Sequence, residues 1–371
     1  MSNTLKIQPS NTWWDPSGQP LLIAGPCGVE SPEQVLSVAG DLSALGIKYL
    51  RGGIWKPRTR PDSFQGIGEV GLSWLSDAGH AHGMQVMTEV ADPDHLEAAL
   101  KAGIDMVWIG ARTVVNPFQV QRIADALKGV SIPVLVKNPI APDLELWIGA
   151  LERMNRSGID RLAAIHRGFT AYERSHYRNA PNWQIPIELK RRFPELTLFC
   201  DPSHIAGKTS MIAPVAQTAL DLGYEGLMVE VHPNPLKALS DSEQQLTPAA
   251  FEEFIGELVV RSKSMMDAIS RSHLAEMRSR IDEFDQLLLD VVAKRMELSR
   301  EIGTLKKEQN VTIYQLDRWN EILRTRTQYD AASGLTLNKD FIIKFFELIH
   351  EESIHQQTQV MNSRDLPGEN V

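Results

Sequence analysis

Eight short apolar runs lie between residues 21 and 231, and each finishes near a side chain equipped for chemistry. The runs are 21–25, 48–52, 85–90, 106–110, 133–137, 162–167, 196–201 and 226–231. At or just past their ends stand Cys27, Arg51, Glu89, Arg112, Lys137, Arg167, His204 and Glu230. The stretches between the runs are long enough for one helix each. Strand alternating with helix eight times predicts a (β/α)8 TIM barrel, an α/β fold whose strand carboxyl ends converge on one mouth. Ser31-Pro32, Asp92-Pro93, Asn116-Pro117 and Thr247-Pro248 are helix starts, a capping residue followed by Pro in the first turn. The last barrel helix is expected to run from Thr247 to about Ser270.

A barrel uses about 250 residues, so a chain of 371 leaves room for a second domain. The net charge of −9 argues against a nucleic-acid surface. Any anionic ligand must then be held by local cations. Cys27 and Cys200 alone make no disulfide framework, which suggests a reducing, cytoplasmic setting. The start, MSNTLKIQPSNTWWDP, lacks a signal-like apolar core, and no run is long enough for a membrane span. Residues 1–20 are expected to close the bottom of the barrel, so the first domain is placed at 1–270.

Past residue 270 the pattern changes. Leu274, Met277, Ile281, Phe284, Leu288, Val291, Val292, Leu298, Ile302 and Leu305 recur at helical spacing, without a Pro. They predict one helix over 274–307, about 50 Å long. Two shorter helices follow near 315–330 and 338–357. Two short helices cannot cover so long an apolar face, so a second copy of the chain is the expected cover. The second domain, 274–358, is thus a small all-α three-helix module that dimerises. Residues 359–371, polar with Pro367 and Gly368, are expected to be disordered.

At the mouth, Cys27, His204 and Glu230, with Asp241 in the following loop, combine a thiol, an imidazole and two carboxylates. They make a candidate divalent-metal site. Such mixed donors do not fix the metal; manganese is expected first, with iron, zinc or cobalt as alternatives. Arg51, Lys56, Arg58, Arg112, Lys137 and Arg167 surround the same mouth, and so many cations imply a multiply anionic ligand. His232 is a candidate proton relay or a packing residue. His166 faces either the mouth or the barrel wall.

Five segments carry a family resemblance: Lys56-Pro57-Arg58-Thr59, Ile109-Gly110-Ala111-Arg112-Thr113, Lys137-Asn138, Asp201-Pro202-Ser203-His204 and Glu230-Val231-His232-Pro233. In this order they resemble the short, single-barrel form of 3-deoxy-D-arabino-heptulosonate 7-phosphate (DAHP) synthase, over about residues 15–265. The resemblance implies condensation of phosphoenolpyruvate with erythrose 4-phosphate. It implies metal ligands at Cys27, His204, Glu230 and Asp241, and a phosphoenolpyruvate cradle of Arg51, Lys56, Arg112, Lys137 and Arg167. Lys56, Arg58 and Thr59 would grip erythrose 4-phosphate. In the related synthase that uses arabinose 5-phosphate, the Lys-Pro-Arg-Thr segment is usually replaced, so this segment favours the four-carbon sugar.

From Leu274 to Gln357 the chain resembles chorismate mutase of the all-helical, intertwined-dimer type. The match includes Arg278-Ser279-Arg280-Ile281, Lys294-Arg295, Lys306, Asp317-Arg318 and Glu352-Ser353. The resemblance implies that Arg278, Arg295, Lys306, Arg318, Ser353 and Gln357 bind chorismate or prephenate, Arg278 reaching the other chain. Gln315 and Trp319 stand where the family often has acids. A bifunctional shikimate-pathway enzyme is therefore expected. The helical domain would also confer feedback regulation by prephenate or chorismate. The alternative is a synthase whose helical domain only senses ligand and dimerises.

Overall fold

The computed structural model describes residues 5–15, 20–57, 62–171, 176–262, 268–333 and 337–363. The chain divides into two compact units, Met1–Lys263 and Ser264–Val371.

The first unit is a closed barrel of eight parallel strands in sequence order. The strands are β1 (Leu21–Gly25), β2 (Tyr49–Arg51), β3 (Gln85–Val90), β4 (Met106–Ile109), β5 (Val134–Lys137), β6 (Leu162–His166), β7 (Thr197–Cys200) and β8 (Gly226–Glu230). Its helices are α1 (Pro32–Ala44), α2 (Val70–Ala81), α3 (Pro93–Lys101), α4 (Ala111–Val114), α5 (Pro117–Ala126), α6 (Leu144–Arg156), α7 (Gln184–Arg192), α8 (Pro202–Ala206), α9 (Ile212–Asp221) and α10 (Pro248–Glu257). The expected caps form: Ser31, Asp92, Asn116 and Thr247 each accept a backbone N–H from the turn they open.

Strand alternation splits the barrel's apolar residues into two cores. Ile23, Tyr49, Met87, Met106, Trp108, Leu135, Ile165, Phe199 and Met228 fill the interior. Their neighbours, such as Leu50, Val86, Val107, Val136, Ala164, Leu198 and Val229, pack outward against the helices. The period of two then decides the mouth. Two positions beyond Tyr49, Met87, Leu135, Ile165, Phe199 and Met228 lie Arg51, Glu89, Lys137, Arg167, Asp201 and Glu230. The interior columns therefore end in charge at the carboxyl end. At the opposite end Trp14 enters the interior, edge-on to Tyr49 at 4.8 Å and 5.0 Å from Phe199. The polar extension thus carries an aromatic plug, held by a single 3-10 turn at Ser10–Thr12.

β1 closes the barrel against β8 with Gly25 in register with Glu230. A Cβ at Gly25, where φ is +147°, would lie 2.1 Å from the Arg51 carbonyl oxygen, so this approach requires glycine.

The last barrel helix departs from expectation. α10 ends at Glu257 rather than near Ser270, and Leu258 is extended. The Gln217 side chain accepts the Val259 N–H and donates to the Val259 carbonyl. That clamp supplies the bonds a further helical turn would have made, and the β-branched pair Val259-Val260 disfavours continuing it.

The second unit comprises α11 (Ala268–Glu308), α12 (Leu316–Ser333) and α13 (Lys339–Asn362). α11 has 41 residues, which at the helical rise gives about 60 Å. α13 continues past 358 to Asn362, and Ser363 closes it through bonds to the Gln359 and Val360 carbonyls. The first part of the expected disordered tail is therefore helix, and 364–371 lie outside the described residues. Among the described residues, Met296, Ile342 and Ile349 are the buried large apolar side chains of this unit. Met277, Ile281, Phe284, Leu287, Leu288, Val291, Leu298, Ile302 and Leu305 are exposed along α11.

Candidate active site

The barrel mouth gathers most of the residues singled out from the sequence. Cys27, Glu230 and Asp241 form one group whose donor atoms all lie within 4.8 Å of one another. Their proximity follows from the β1–β8 register. Glu230 ends β8, Cys27 lies two residues past Gly25, and Asp241 returns in the loop after β8. The Cys27 thiol is 3.4 Å from Asp241 Oδ2 and receives bonds from Lys56 Nζ and Ser240 Oγ, each at 3.1 Å. Burial, then Glu230, outweigh Lys56 and push this thiol up to about 12. A cation is therefore needed to hold it as thiolate.

His204 stands beside this group. Its Nε2 is 3.8 Å from Glu230 Oε1, and its Nδ1 is 2.7 Å from Asp201 Oδ2. Asp201 caps α8 and places the ring by accepting the His204 N–H. A thiol, two carboxylates and an imidazole oriented by a buried carboxylate suit a small divalent cation, so the residues fit such an ion.

The cations form the second half of the mouth. Arg51 Nη2 meets Glu230 Oε1 at 3.0 Å, and Lys137 Nζ meets Asp201 Oδ2 at 2.8 Å. Burial alone would raise the Asp201 carboxyl, but His204 and Lys137 hold it well below the usual carboxylate range. Arg51 Nε and Nη1 are buried with no hydrogen-bond partner among the described residues. Orphaned guanidinium donors at a mouth are poised for an anion. Arg167 donates to Asn179 Oδ1 at 2.7 Å. Burial, opposed by Asp201 and reinforced by Arg112, pushes Arg167 down to about 10, which leaves it charged at neutral pH. Lys56, Glu89, Arg112, Lys137, Arg167, His204 and Asp241 line a common cavity.

Two expected substrate contacts, Arg58 and Thr59, lie outside the described residues. His232 is buried, accepts the Asn234 N–H at Nδ1 and presents Nε2 to Glu30 Oε2 at 3.5 Å. It ties together the loops after β1 and β8, and it is not among the residues lining the cavity. His166 faces outward, with Nδ1 2.9 Å from the Tyr224 hydroxyl.

Sequence reasoning placed Glu89 among the strand-end side chains without assigning it a role, and it did not single out Trp108, Arg178, Gln244 or Gln245. Glu89 accepts the Trp108 indole N–H at 2.9 Å, and the Trp108 ring lies 5.1 Å from Arg51 Cζ and 5.6 Å from Lys137 Nζ. A Cβ on Gly110 would fall 2.0 Å from Glu89 Oε1, so the glycine makes room for this carboxylate. Period-two alternation from Met106 could have found Trp108.

In the helical unit, Arg295 donates to the Ser353 hydroxyl across α11 and α13. Gln357 is buried one helical turn on, its Cα close to the position a Cβ on Gly303 would take. Lys306 donates to the Ile313 carbonyl. Burial pushes both Arg295 and Lys306 below their ordinary values. Arg318 is exposed on α12 and paired with Glu321. Arg278 is exposed, 17 positions before Arg295 on the same straight helix, or about 25 Å away. The unit therefore brings Arg295 and Ser353 into contact, with Lys306 and Gln357 on the same two helices. It does not bring Arg278 to them. Trp319 stacks on His350 with ring centroids 4.1 Å apart.

The model of the DAHP synthetase I family matches residues 6–266, and that of chorismate mutase type II matches residues 277–358. A phospho-2-dehydro-3-deoxyheptonate aldolase of Thermotoga maritima is 36% identical over 67% of this chain and 70% of its own length. A 2-dehydro-3-deoxyphosphooctonate aldolase of Wolinella succinogenes is 25% identical over 66% of this chain and 99% of its own. A crystal structure of the Thermotoga maritima DAHP synthase superposes with a TM-score of 0.58 at 36% identity, covering 64% of this chain and 67% of that one.

Proposed function

This chain belongs to the DAHP synthetase I family and carries a C-terminal chorismate mutase type II domain, and from that premise we propose a bifunctional shikimate-pathway enzyme. The barrel condenses phosphoenolpyruvate with erythrose 4-phosphate to DAHP and phosphate. The helical unit rearranges chorismate to prephenate. The observation that carries the reading is the donor group Cys27, Glu230 and Asp241 beside the buried cations of one barrel mouth.

In this reading Arg51, Lys56, Arg112, Lys137 and Arg167 hold the carboxylate and phosphate of phosphoenolpyruvate. Lys56, Arg58 and Thr59 hold erythrose 4-phosphate. Cys27, His204, Glu230 and Asp241 bind one divalent ion, manganese first among the candidates. When bound, that ion supplies Lewis acidity to the aldehyde oxygen. Fixing both anions converts a two-body encounter into an oriented one, where much of the rate enhancement arises. The enolic carbon attacks the aldehyde carbon, water adds at C2 of the former phosphoenolpyruvate, and phosphate departs.

The rearrangement needs no nucleophile or base, only a folded substrate and charge matched to its transition state. Arg295, Lys306, Arg318, Ser353 and Gln357 supply cations, a hydroxyl and an amide, with Arg278 coming from a second chain. The exposed apolar face of α11 supports that second chain. Binding of prephenate or chorismate there would also regulate the barrel. The departures at Gln315 and Trp319 favour a second reading, in which the helical unit senses ligand with little turnover.

Two variants test the assignments. Cys27→Ala is expected to lower synthase turnover at least 100-fold and leave chorismate rearrangement within twofold. Arg295→Ala is expected to do the reverse. Full synthase turnover in the first variant would overturn the metal assignment. Failure of the parent chain to rearrange chorismate would favour the sensing module.

A further inference from the structure

Two adjacent buried glutamines connect all three clustered donors, and nothing in the proposed chemistry uses them. Gln244 donates from Nε2 to Glu230 Oε2 at 2.6 Å and accepts Arg178 Nη1 at Oε1, also at 2.6 Å. The same Arg178 Nη1 reaches Asp241 Oδ1 at 3.0 Å, and the Gln244 N–H donates to the Asp241 carbonyl at 3.2 Å. Gln245 accepts the Cys27 N–H at Oε1 (2.9 Å) and donates from Nε2 to the Ser240 carbonyl (2.9 Å). Ser240 in turn points its hydroxyl at Cys27 Sγ, 3.1 Å away. Leu246 anchors the pair along β8, donating to the Glu230 carbonyl and accepting from His232.

The neighbours fix the orientation of both amides. Arg178 can only donate, so it selects the Gln244 oxygen. A carboxylate can only accept, so Glu230 selects the nitrogen. For Gln245 the Cys27 N–H and the Ser240 carbonyl impose the same choice. One oxygen of each carboxylate meets this outer layer: Oε2 of Glu230 accepts from Gln244, and Oδ1 of Asp241 accepts from Arg178. Glu230 Oε1 faces Arg51 and His204, and Asp241 Oδ2 faces the Cys27 sulfur.

Two backbone features support this arrangement. Asp241 holds φ 50° and ψ 41°, a left-handed conformation uncommon for a non-glycine residue and best tolerated by Asp and Asn. Gly207, at φ +72°, makes room for Arg178, since a Cβ there would lie 2.4 Å from Arg178 Cβ.

We propose that Gln244, Gln245 and Arg178 are positioning residues of the metal centre, fixing the carboxylates of Glu230 and Asp241 and the backbone of Cys27 before the ion arrives. The inference rests on the metal reading and extends it to three residues outside the donor set. Outer partners of metal ligands typically contribute about 10–100-fold in metal affinity, and that is the effect expected here.

The test titrates Mn2+ into the metal-stripped full chain by calorimetry, for the parent and for Gln244→Leu, Gln245→Leu and Arg178→Met. Each variant is expected to bind Mn2+ about 10–100-fold more weakly. With Co2+ as probe, Gln245→Leu also loses intensity in the thiolate charge-transfer band, because it frees the Cys27 backbone. Gln244→Leu and Arg178→Met keep that band. Arg178 is exposed, so Arg178→Met keeps the test valid if a buried glutamine variant fails to fold. Urea unfolding of the same samples reports that the barrel remains folded. If the parent binds Mn2+ and all three variants bind within threefold of it, the positioning role is wrong and the metal reading stands. If the parent binds neither Mn2+ nor Co2+, both fall together.

Discussion

His166 shows how one step of strand register decides a side chain's chemistry. Its neighbour Ile165 fills the barrel interior and Arg167 reaches the mouth, so His166 turns outward among Phe169, Trp183 and Tyr224. The sequence left both orientations open, and the parity of the interior columns closes the question. Burial pushes this imidazole down to about 3. The unfolded chain, with an ordinary histidine near pH 6.5, binds the proton first. His166 therefore favours the folded barrel above pH 6.5, and that contribution is lost as pH falls toward 3. The full span is of the order of 5 kcal/mol. In His166→Phe, barrel stability measured by urea unfolding from pH 7 to pH 4 should fall less steeply than in the parent. An unchanged slope would remove His166 as the cause. The donors and cations were legible as residues because they end apolar runs. Gln244, Gln245 and Arg178 were not, because loop amides carry no period and their partners are distant in the chain.

At the scale of elements, periodicity located all eight strands to within a residue or two of their ends, and the caps followed by Pro located four helices. It overran at α10, because Gln217 replaces a helical turn with side-chain bonds that no local pattern announces. α11 raises a different problem. Its apolar residues span more of its length than α12 and α13 cover, and an exposed stripe of this size marks an interaction surface. Paired substitutions Phe284→Asp and Leu288→Asp lie on one helical face. They should weaken association of the helical units at least tenfold in sedimentation experiments and remove chorismate rearrangement. Unchanged association would exclude this face as the dimer contact.

For the molecule as a whole, two units with separate cores imply two separable chemistries. Chelation of the full chain should lower synthase turnover at least 100-fold, restored by Mn2+, and leave chorismate rearrangement within twofold. Loss of both activities on chelation would show that the ion also serves the helical unit. The charge balance fits this division. A chain of net charge −9 concentrates buried cations at one mouth and pairs them with buried acids. Composition alone showed only that the cations had to be local, and strand topology assembles them.

Trp108 brings these scales together. Its indole ring is flanked by a guanidinium and an ammonium group and is tethered through its N–H to Glu89. Those flanking charges set the electric field across the ring, and a phosphate settling between them would change that field. If phosphate binds beside these cations as proposed, its arrival is expected to shift tryptophan emission, and Trp108→Phe would abolish that shift.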